Sequence, residues 1–260
     1  MDHKYFDVMF EYFMDNFHKY WKDEVDRLYL IDSTWGIEDE DVDCISLETG
    51  LKEEDPKIQI IKVDASTRYY DAYKQILPKI QEDLVLFMDN DMVISQKGKV
   101  ASAFESLEKD FDVVTIMDTI GTWTTDRLKL GNKFCPYFFA TSKNLLMGFR
   151  YSHWEPKMPE YETLGDLTRD MVNAGVKVLE IEDDKNHPPI NPDFYHIRAG
   201  SVPAYLLTTK HYGDANTYWE YIKNQPASET LRHCWWYDRM GGDTSEIRKD
   251  LSEKEAIVTN

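Results

Sequence analysis

The sequence predicts an α/β fold in which helices flank a mostly parallel β-sheet. Apolar segments of strand length alternate along the chain with segments of helical periodicity. One of them, LVLFMD (84–89), is almost purely apolar, which is typical of a central strand buried on both faces. With 260 residues, 42% of them hydrophobic, the chain is long enough for one large α/β domain or two small ones, with a substantial core. In such sheets ligands bind at the carboxyl ends of the strands.

The first half of the chain supplies three predicted strands and two predicted helices. Residues 4–22 carry aromatic and Met side chains at helical spacing, which predicts an amphipathic helix. LYLID (28–32), IQIIKVD (58–64) and LVLFMD read as strands, and residues 33–56 as an acidic loop region. Ser66 or Thr67 begins a helix that runs to about Ile80.

The second half continues the alternation less regularly. Residues 99–109 and 165–174 predict helices, and FDVVTIMD (111–118) and VKVLEI (176–181) predict strands. Residues 120–163 mix aromatic, Gly and Pro residues around a short helix at 142–148. A Pro-rich loop, NHPPINPDFYHIRAGS, follows, and residues 214–255 are aromatic and partly helical.

Charge and cysteine content restrict the function class. The net charge of −18 argues against passive binding of the whole surface to nucleic acid or to an anionic membrane. Cys44, Cys135 and Cys234 are widely spaced, so neither a disulfide framework nor a zinc site is visible, and a reducing cytoplasm fits best. The opening residues lack the pattern of a signal peptide, and no apolar run is long enough to span a bilayer.

An acidic pair, Asp89-Asn90-Asp91, follows the most apolar segment of the chain. Two carboxylates two residues apart between apolar segments would repel each other and lose hydration. A divalent cation resolves that cost, and carboxylate oxygens suit Mn²⁺ or Mg²⁺. The alternative is an ordinary acidic turn between a strand and a loop.

At this point the chain resembles the GT-A glycosyltransferases. The run STRYYDAYKQILPKIQEDLVLFMDND is similar to the helix, strand and D-x-D unit of that family. The resemblance implies a nucleotide-diphosphate sugar donor, with UDP-sugars favoured, whose phosphates are bridged by a cation on Asp89 and Asp91. It also implies that Arg68, Asp64 and Asn90 lie near the nucleotide, and that FFATSKNLLMGF lies on the acceptor side. Arg68 could instead pair with a neighbouring acid.

The resemblance extends into the second half and implies further site residues. YETLGDLTRDMVNAGVKVLEI is similar to the stretch in which an acid at a helix start faces the acceptor. Asp166, with Glu162 as second choice, would then act as general base, although Asp166 could be a plain helix N-cap. His196 would be the third metal ligand, and Gly200 and Ser201 would offer backbone donors to the diphosphate. The alternative for His196 is a hydrogen-bonded loop residue.

The same residues also match the motifs of a second family. Haloacid-dehalogenase-like phosphohydrolases use a strand ending in D-x-D-x-[TV], which DNDMV matches, and a late G-D-x-x-x-D motif. On that reading Asp89 is the nucleophile, Asp91 the acid/base, and Asp166 and Asp170 bind Mg²⁺. The late motif should end an apolar strand, however, and the preceding PKMPEYETL is polar. A binding module without chemistry is a third hypothesis.

The acceptor is left open between a glycan and, less favoured, a hydroxylated base in phage DNA. The stretch 127–154 contains five Lys or Arg and no acid, interleaved with aromatic residues. Basic side chains in such a stretch can bind phosphate, and the aromatic side chains can stack on bases or sugars. Core aromatics with solvated lysines are the simpler explanation.

The two ends of the chain suggest a circular permutation. A GT-A domain opens with a strand, whereas this chain opens with a helix, and its last residues, EAIVTN (255–260), read as that strand. We therefore expect residues 256–259 to act as the first strand of the sheet, with Thr259 beside the nucleotide. The expected organisation is one domain, 1–260, with a nucleotide-sugar half (1–118 plus 255–260) and an acceptor half (119–254).

Overall fold

The structure of the chain is a computed structural model. The residues it describes are 10, 12–35, 55–64, 73, 75–90, 92–94, 96–119, 132–149, 164–181, 194–196, 230–231, 234 and 243–250. Residues 251–260 lie outside this set, so the predicted strand at 256–259 is not described. Within the set, no helix is long and apolar enough to cross a membrane.

The predicted N-terminal helix is present, but its last turn is wider than expected. Residues 12–16 are α-helical and lead into a π-helical turn, Phe17–Trp21, and a 3₁₀ turn, Lys22–Glu24. The described apolar side chains of the pattern, Phe10, Phe13, Met14 and Phe17, are buried. The amphipathic pattern is therefore confirmed where the chain is described.

Eight strands are described. They are β1 (Leu28–Trp35), β2 (Ile58–Asp64), β3 (Leu84–Met88), β4 (Met92–Ile94), β5 (Val113–Thr119), β6 (Asn132–Ser142), β7 (Val178–Ile181) and β8 (Phe194–His196). β1 pairs with β2 in parallel, and β4 pairs with β8 antiparallel. The other four form a sheet in the order β3-β6-β5-β7. Five of the six strands predicted from sequence are confirmed, and the sixth, 256–259, lies outside the described residues.

The expectation of a mostly parallel sheet needs correction, because β6 was not predicted. β6 pairs antiparallel with both β3 and β5, whereas β5 and β7 are parallel. Three strands of this sheet thus share one direction and β6 opposes them, so the sheet is mixed. β6 also belongs to the expected acceptor half yet lies between two strands of the nucleotide-sugar half, so the two halves share one sheet.

Pro136 explains why the sequence did not reveal β6. A proline within an apolar run argues against a central strand, because it cannot donate a hydrogen bond to a neighbour. In β6 it lies at an irregularity: Thr115 pairs with Phe139 but Met117 pairs with Phe134, while the pairing with β3 ends at Phe138. Neither of these two registers pairs Pro136, so its missing N–H costs the sheet little.

Both faces of the sheet are buried. Val85 and Phe87 of β3 pack with one hydrophobic cluster, whereas the alternating residues Leu86 and Met88 pack against a second cluster that contains the N-terminal helix. Strands buried on both faces are expected to be apolar throughout, which accounts for the composition of LVLFM.

Three α-helices of the described region match the predicted helices. They are α1 (Lys99–Lys109), α2 (Lys143–Gly148) and α3 (Gly165–Asn173). Ser142 begins α2 by accepting a hydrogen bond from the Leu145 amide at 3.1 Å, as an N-cap serine does. The described end of the predicted 66–80 helix includes the 3₁₀ turn Leu77–Lys79. The three α-helices all pack against β6.

Candidate functional site

The acidic turn lies directly after the buried strand β3. The backbone amide of Asp89 donates to the Tyr137 carbonyl on β6 at 3.4 Å, and the Asp89 carbonyl accepts from the Met92 amide at 3.1 Å. The second bond closes a four-residue turn over 89–92, in which Asp89 is partly buried and Asn90 is exposed. Asp91 lies outside the described residues. The turn is thus fixed at its first residue to the central sheet.

The strand that follows the turn brings a distant segment next to it. β4 pairs with β8 so that Met92 lies opposite His196. Opposite residues of an antiparallel pair have Cα atoms about 4.5–5.5 Å apart. The backbone of His196 therefore lies beside the exit of the acidic turn, although 104 residues separate His196 from Met92 in the sequence. The short strands β4 and β8, which the sequence did not predict, create this proximity.

Asp166 lies in the first turn of α3 and is 2% exposed. The N-cap of α3 is Leu164, so the suggestion that Asp166 caps the helix is wrong. Its Oδ1 atom forms an ion pair with Arg169 Nη1 at 2.7 Å. A carboxylate in a first turn also interacts favourably with the helix dipole. Arg169 was not among the predicted site residues, although its spacing of three residues from Asp166 on a helix is that of an ion pair.

The backbone before Asp166 is unusual. Leu164 has φ 69°, the only positive φ of a non-glycine residue among the described positions, and its side chain is 2% exposed. A bulky residue in the left-handed region stores strain that the surrounding structure must hold. Such residues cluster at functional sites, which gives independent reason to consider the start of α3.

Asp89 and Asp166 belong to the same edge of the sheet. Thr168 Oγ1 accepts from the Phe134 amide at 3.0 Å and donates to the Leu164 carbonyl at 2.7 Å, which fixes the start of α3 to β6. Asp89 is fixed to Tyr137 on the same strand, three residues further along. At about 3.3 Å per residue, the two attachment points are roughly 10 Å apart. This edge contains the carboxyl ends of β3 and β5.

The late motif of the phosphohydrolase hypothesis does not end a strand. Asp166 and Asp170 both lie within α3, and Arg169 forms ion pairs with both, at 2.7 Å and 2.9 Å. A guanidinium between the two carboxylates opposes the binding of Mg²⁺ there. The geometry disfavours the assignment of these residues as magnesium ligands.

Several predicted site residues are not placed. Arg68, Glu162, Gly200, Ser201 and Thr259 lie outside the described residues, and of Asp64 and His196 only the backbone is described. Asp64 ends β2 and pairs with Trp35 of β1. Among the residues that the structure describes, no three His, Cys, Asp or Glu side chains form a metal-binding group.

The described aromatic residues of the stretch 127–154 belong to the core. Phe134, Phe138 and Phe139 are 0% exposed and Tyr137 is 7% exposed. The amine of Lys143 donates to the Ile80 carbonyl at 3.0 Å. Phe149 is partly buried and packs against the same core. Most of the described aromatic residues of the stretch are therefore engaged in the fold.

Fold and site together define a mixed α/β protein with an acidic turn at the carboxyl end of a buried strand. The chain matches no protein-family model, and no curated protein is significantly similar to it. Among solved structures it is similar to the mannosyltransferase PcManGT from Pyrobaculum calidifontis, solved in complex with GDP-Man and Mn²⁺. The TM-score is 0.48 at 12% sequence identity, and the alignment covers 97% of this chain and 77% of that one.

Proposed function

We propose that the chain is a metal-dependent glycosyltransferase that moves a sugar from a nucleotide-diphosphate donor to an acceptor hydroxyl. The observation that carries the proposal is the position of the acidic turn. It follows β3 at the carboxyl edge of the sheet, and the β4–β8 pair brings the His196 backbone beside it. Ligand sites of α/β sheets lie at this edge.

The proposed metal site consists of Asp89, Asp91 and His196. Two carboxylates and an imidazole suit Mn²⁺, and carboxylates with water suit Mg²⁺. A bound cation supplies Lewis-acid stabilisation of the diphosphate leaving group. The protein contributes the fixed positions: the Asp89 amide is bonded to β6, and β4 holds the exit of the turn against β8.

The donor would lie across the ends of β2, β3 and β8. Asp64 ends β2, Asn90 is exposed in the acidic turn, and Gly200 and Ser201 follow β8 by four and five residues. Arg68 would neutralise phosphate or contact the nucleotide. We favour UDP-sugars, and the cytoplasm, where the buried thiols of Cys135 and Cys234 would stay free, as the location.

Asp166 is proposed to act on the acceptor, with Glu162 as the second candidate. A carboxylate that accepts a proton from an attacking hydroxyl must reach it within hydrogen-bond distance. Asp166 lies at the same edge of the sheet as Asp89, but its side chain is 2% exposed and forms an ion pair with Arg169. If the reaction retains configuration, the same carboxylate positions the acceptor without taking its proton. A glycan is favoured over DNA, because four of the five described aromatic residues of the basic stretch, Phe134, Tyr137, Phe138 and Phe139, are buried.

A donor screen tests the function. UDP- and GDP-sugars would be incubated with the protein and Mn²⁺, and slow hydrolysis and thermal stabilisation measured. We expect one donor to raise the unfolding temperature only when Mn²⁺ is present. Hydrolysis of phosphate monoesters, with no response to any nucleotide sugar, would favour the phosphohydrolase. Stabilisation by a donor without metal or turnover would indicate a binding module.

We also propose the permuted fold, in which residues 256–259 lie between β1 and β3. A cleft of about 830 Å³ is lined by the consecutive residues 28–31 of β1 and 84–88 of β3, so it runs along strand edges. The starts of the two strands are adjacent, since Tyr29 Oη donates to Glu82 Oε2 at 2.7 Å. One strand between them would set β1 and β3 about 9.6 Å apart, which two long side chains can bridge. Thr259 would then end near the acidic turn.

Truncation tests the permuted strand. Deleting 255–260 should lower the unfolding temperature strongly, because both strand edges would lose their partner. Ile257→Asp should do the same, whereas the control Asn260→Asp should not. If the truncated protein unfolds at the same temperature as the full chain, another segment fills the cleft.

A further inference from the structure

A buried amide side chain holds the strand that leaves the acidic turn. Asn16 Nδ2 donates to the Ile94 carbonyl at 2.9 Å, and Asn16 Oδ1 accepts from the Ile94 amide at 3.2 Å. Asn16 is 7% exposed, and Ile94, the last residue of β4, is 0% exposed. The side-chain amide therefore bonds both backbone groups of Ile94, as a neighbouring strand would. β8 occupies the other edge of β4.

The orientation of this amide is itself fixed. Trp21 Nε1 donates to Asn16 Oδ1 at 3.2 Å, so the oxygen receives two donors and the nitrogen faces a carbonyl. Trp21 ends the π-helical turn Phe17–Trp21, and the two residues are five apart, which is the spacing of that turn. π-Helical turns in α-helices frequently mark functional sites. The turn brings the indole to the amide and prevents it from flipping.

A second side chain of the same segment holds the next element. Glu24 accepts from the amides of Gly98, Val100 and Ala101, the last two at 2.9 Å and 3.0 Å. Gly98 is the N-cap of α1 and has no side chain that could accept a hydrogen bond from the first amides of the helix. The Glu24 carboxylate accepts these hydrogen bonds instead. Residues 92–101 are thus attached at two points to the N-terminal segment 12–24.

We propose that Asn16 is a positioning residue for the metal site of the acidic turn. This inference rests on the proposed function. Asp89 is held by β6 at the entry of the turn, and Asn16 holds Ile94 three residues after Asp91 at its exit. The two attachments hold the backbone on both sides of the acidic turn, Asp89 before it and Ile94 after it. Without the amide, β4 keeps its pairing with β8 but loses its support on the opposite edge.

Metal affinity provides a measurement separate from turnover. Mn²⁺ would be titrated in the presence of UDP, and in parallel GDP, with the free Mn²⁺ signal followed by electron paramagnetic resonance. Asn16→Leu preserves approximate size but removes the donor and the acceptor. We expect its dissociation constant for Mn²⁺ to rise about tenfold, as loss of a supporting hydrogen bond around a metal site does. Trp21→Phe, a milder change that leaves the amide unanchored, should weaken binding less.

Thr141→Val is the matched control. Thr141 is 0% exposed and its hydroxyl donates to the Asp112 carbonyl at 2.7 Å, but it lies at the opposite end of β6. Both Asn16→Leu and Thr141→Val should lower the unfolding temperature, and only the former should change metal affinity. Unchanged affinity in Asn16→Leu and Trp21→Phe, with a wild type that binds Mn²⁺, overturns this inference alone. A wild type that binds no Mn²⁺ overturns both it and the proposed function.

Discussion

The two ends of β3 use acidic side chains in different ways. Before the strand, Glu82 accepts a hydrogen bond from Tyr29 and lies 3.5 Å from Arg27 Nε. Its partners are the long side chains of Tyr29 in β1 and of Arg27, which immediately precedes β1. After the strand, Asp89 enters a turn whose backbone bonds to β6 and β4 are the fixed elements. The first arrangement holds a carboxylate through contacts of side chains. The second holds Asp89 through its backbone and leaves its side chain out of those bonds, an arrangement suited to a ligand site.

The prediction with the largest expected effect compares the two ends of β3 directly. Asp89→Ala should weaken Mn²⁺-dependent donor binding by about 100-fold or more, beyond the range seen for residues that merely support a ligand. Stability should hold or rise, since removing one member of a like-charged pair relieves repulsion. The control is Asp83→Ala, an exposed acid at the other end of the same strand. Calorimetric titration of donor with Mn²⁺ measures the effect, and equal affinity in both variants would remove Asp89 from the metal site.

A smaller effect is expected at the start of α3. Asp166→Asn should leave donor binding intact and reduce turnover by about 100-fold, as loss of a general base does. Asp170→Asn is the control, because Asp170 shares the partner Arg169 but lies one turn further from the sheet edge. Steady-state kinetics of both variants decides the matter. If Asp170→Asn abolishes Mg²⁺-dependent activity, the phosphohydrolase hypothesis returns; if neither variant changes turnover, Asp166 is structural.

Periodicity predicted the elements whose signal is local. The strands IQIIKVD and LVLFM and the helix 99–109 were all predicted, because each has enough residues to display a period. β4 and β8 have three residues each, too few for any period, and they are defined only by pairing with each other. β6 was hidden by Pro136, whose tolerance depends on the registers of two distant strands.

The candidate site was predictable in part for the same reason. The acidic pair stood out because it follows a strand that can be recognised locally. The Asn16–Ile94 and Glu24–Val100 contacts join residues more than 70 positions apart and leave no trace in the periodicity. They could be found only once the N-terminal helix had been packed against β4 and α1.

The prediction with the smallest expected effect concerns the hydrogen bond between Tyr29 and Glu82 at the amino end of β3. Its contribution to the stability of the fold should depend on pH. Burial raises the pKa of Glu82, but the hydrogen bond from Tyr29, backbone amides and Arg27 outweigh it, so the pKa is lowered overall. The stability that Glu82 contributes is therefore present above the pKa of this group in the unfolded chain, roughly 4. It is lost as the pH falls through the lower pKa of the folded state. Burial, followed by the bond to Glu82, raises the pKa of Tyr29. The stability that Tyr29 contributes is present below its pKa in the unfolded chain, roughly 10. It is lost as the pH rises through the higher pKa of the folded state.

Tyr29→Phe should consequently lower the free energy of unfolding by about 1 kcal/mol at pH 7, the value of one hydrogen bond to a partly exposed charged group. The difference from wild type should shrink below about pH 4 and above about pH 10, where Glu82 is protonated or Tyr29 is ionised. Urea unfolding at pH 3.5, 7 and 10.5 would measure it, with Tyr20→Phe as a control in the N-terminal segment, since the contact of the Tyr20 ring with Lys19 is kept by phenylalanine. Donor affinity at pH 7 should not change, because the pair lies at the amino end of β3. A loss of donor binding in Tyr29→Phe would mean that the two ends of β3 are coupled, and that the cleft between β1 and β3 contributes to the donor site.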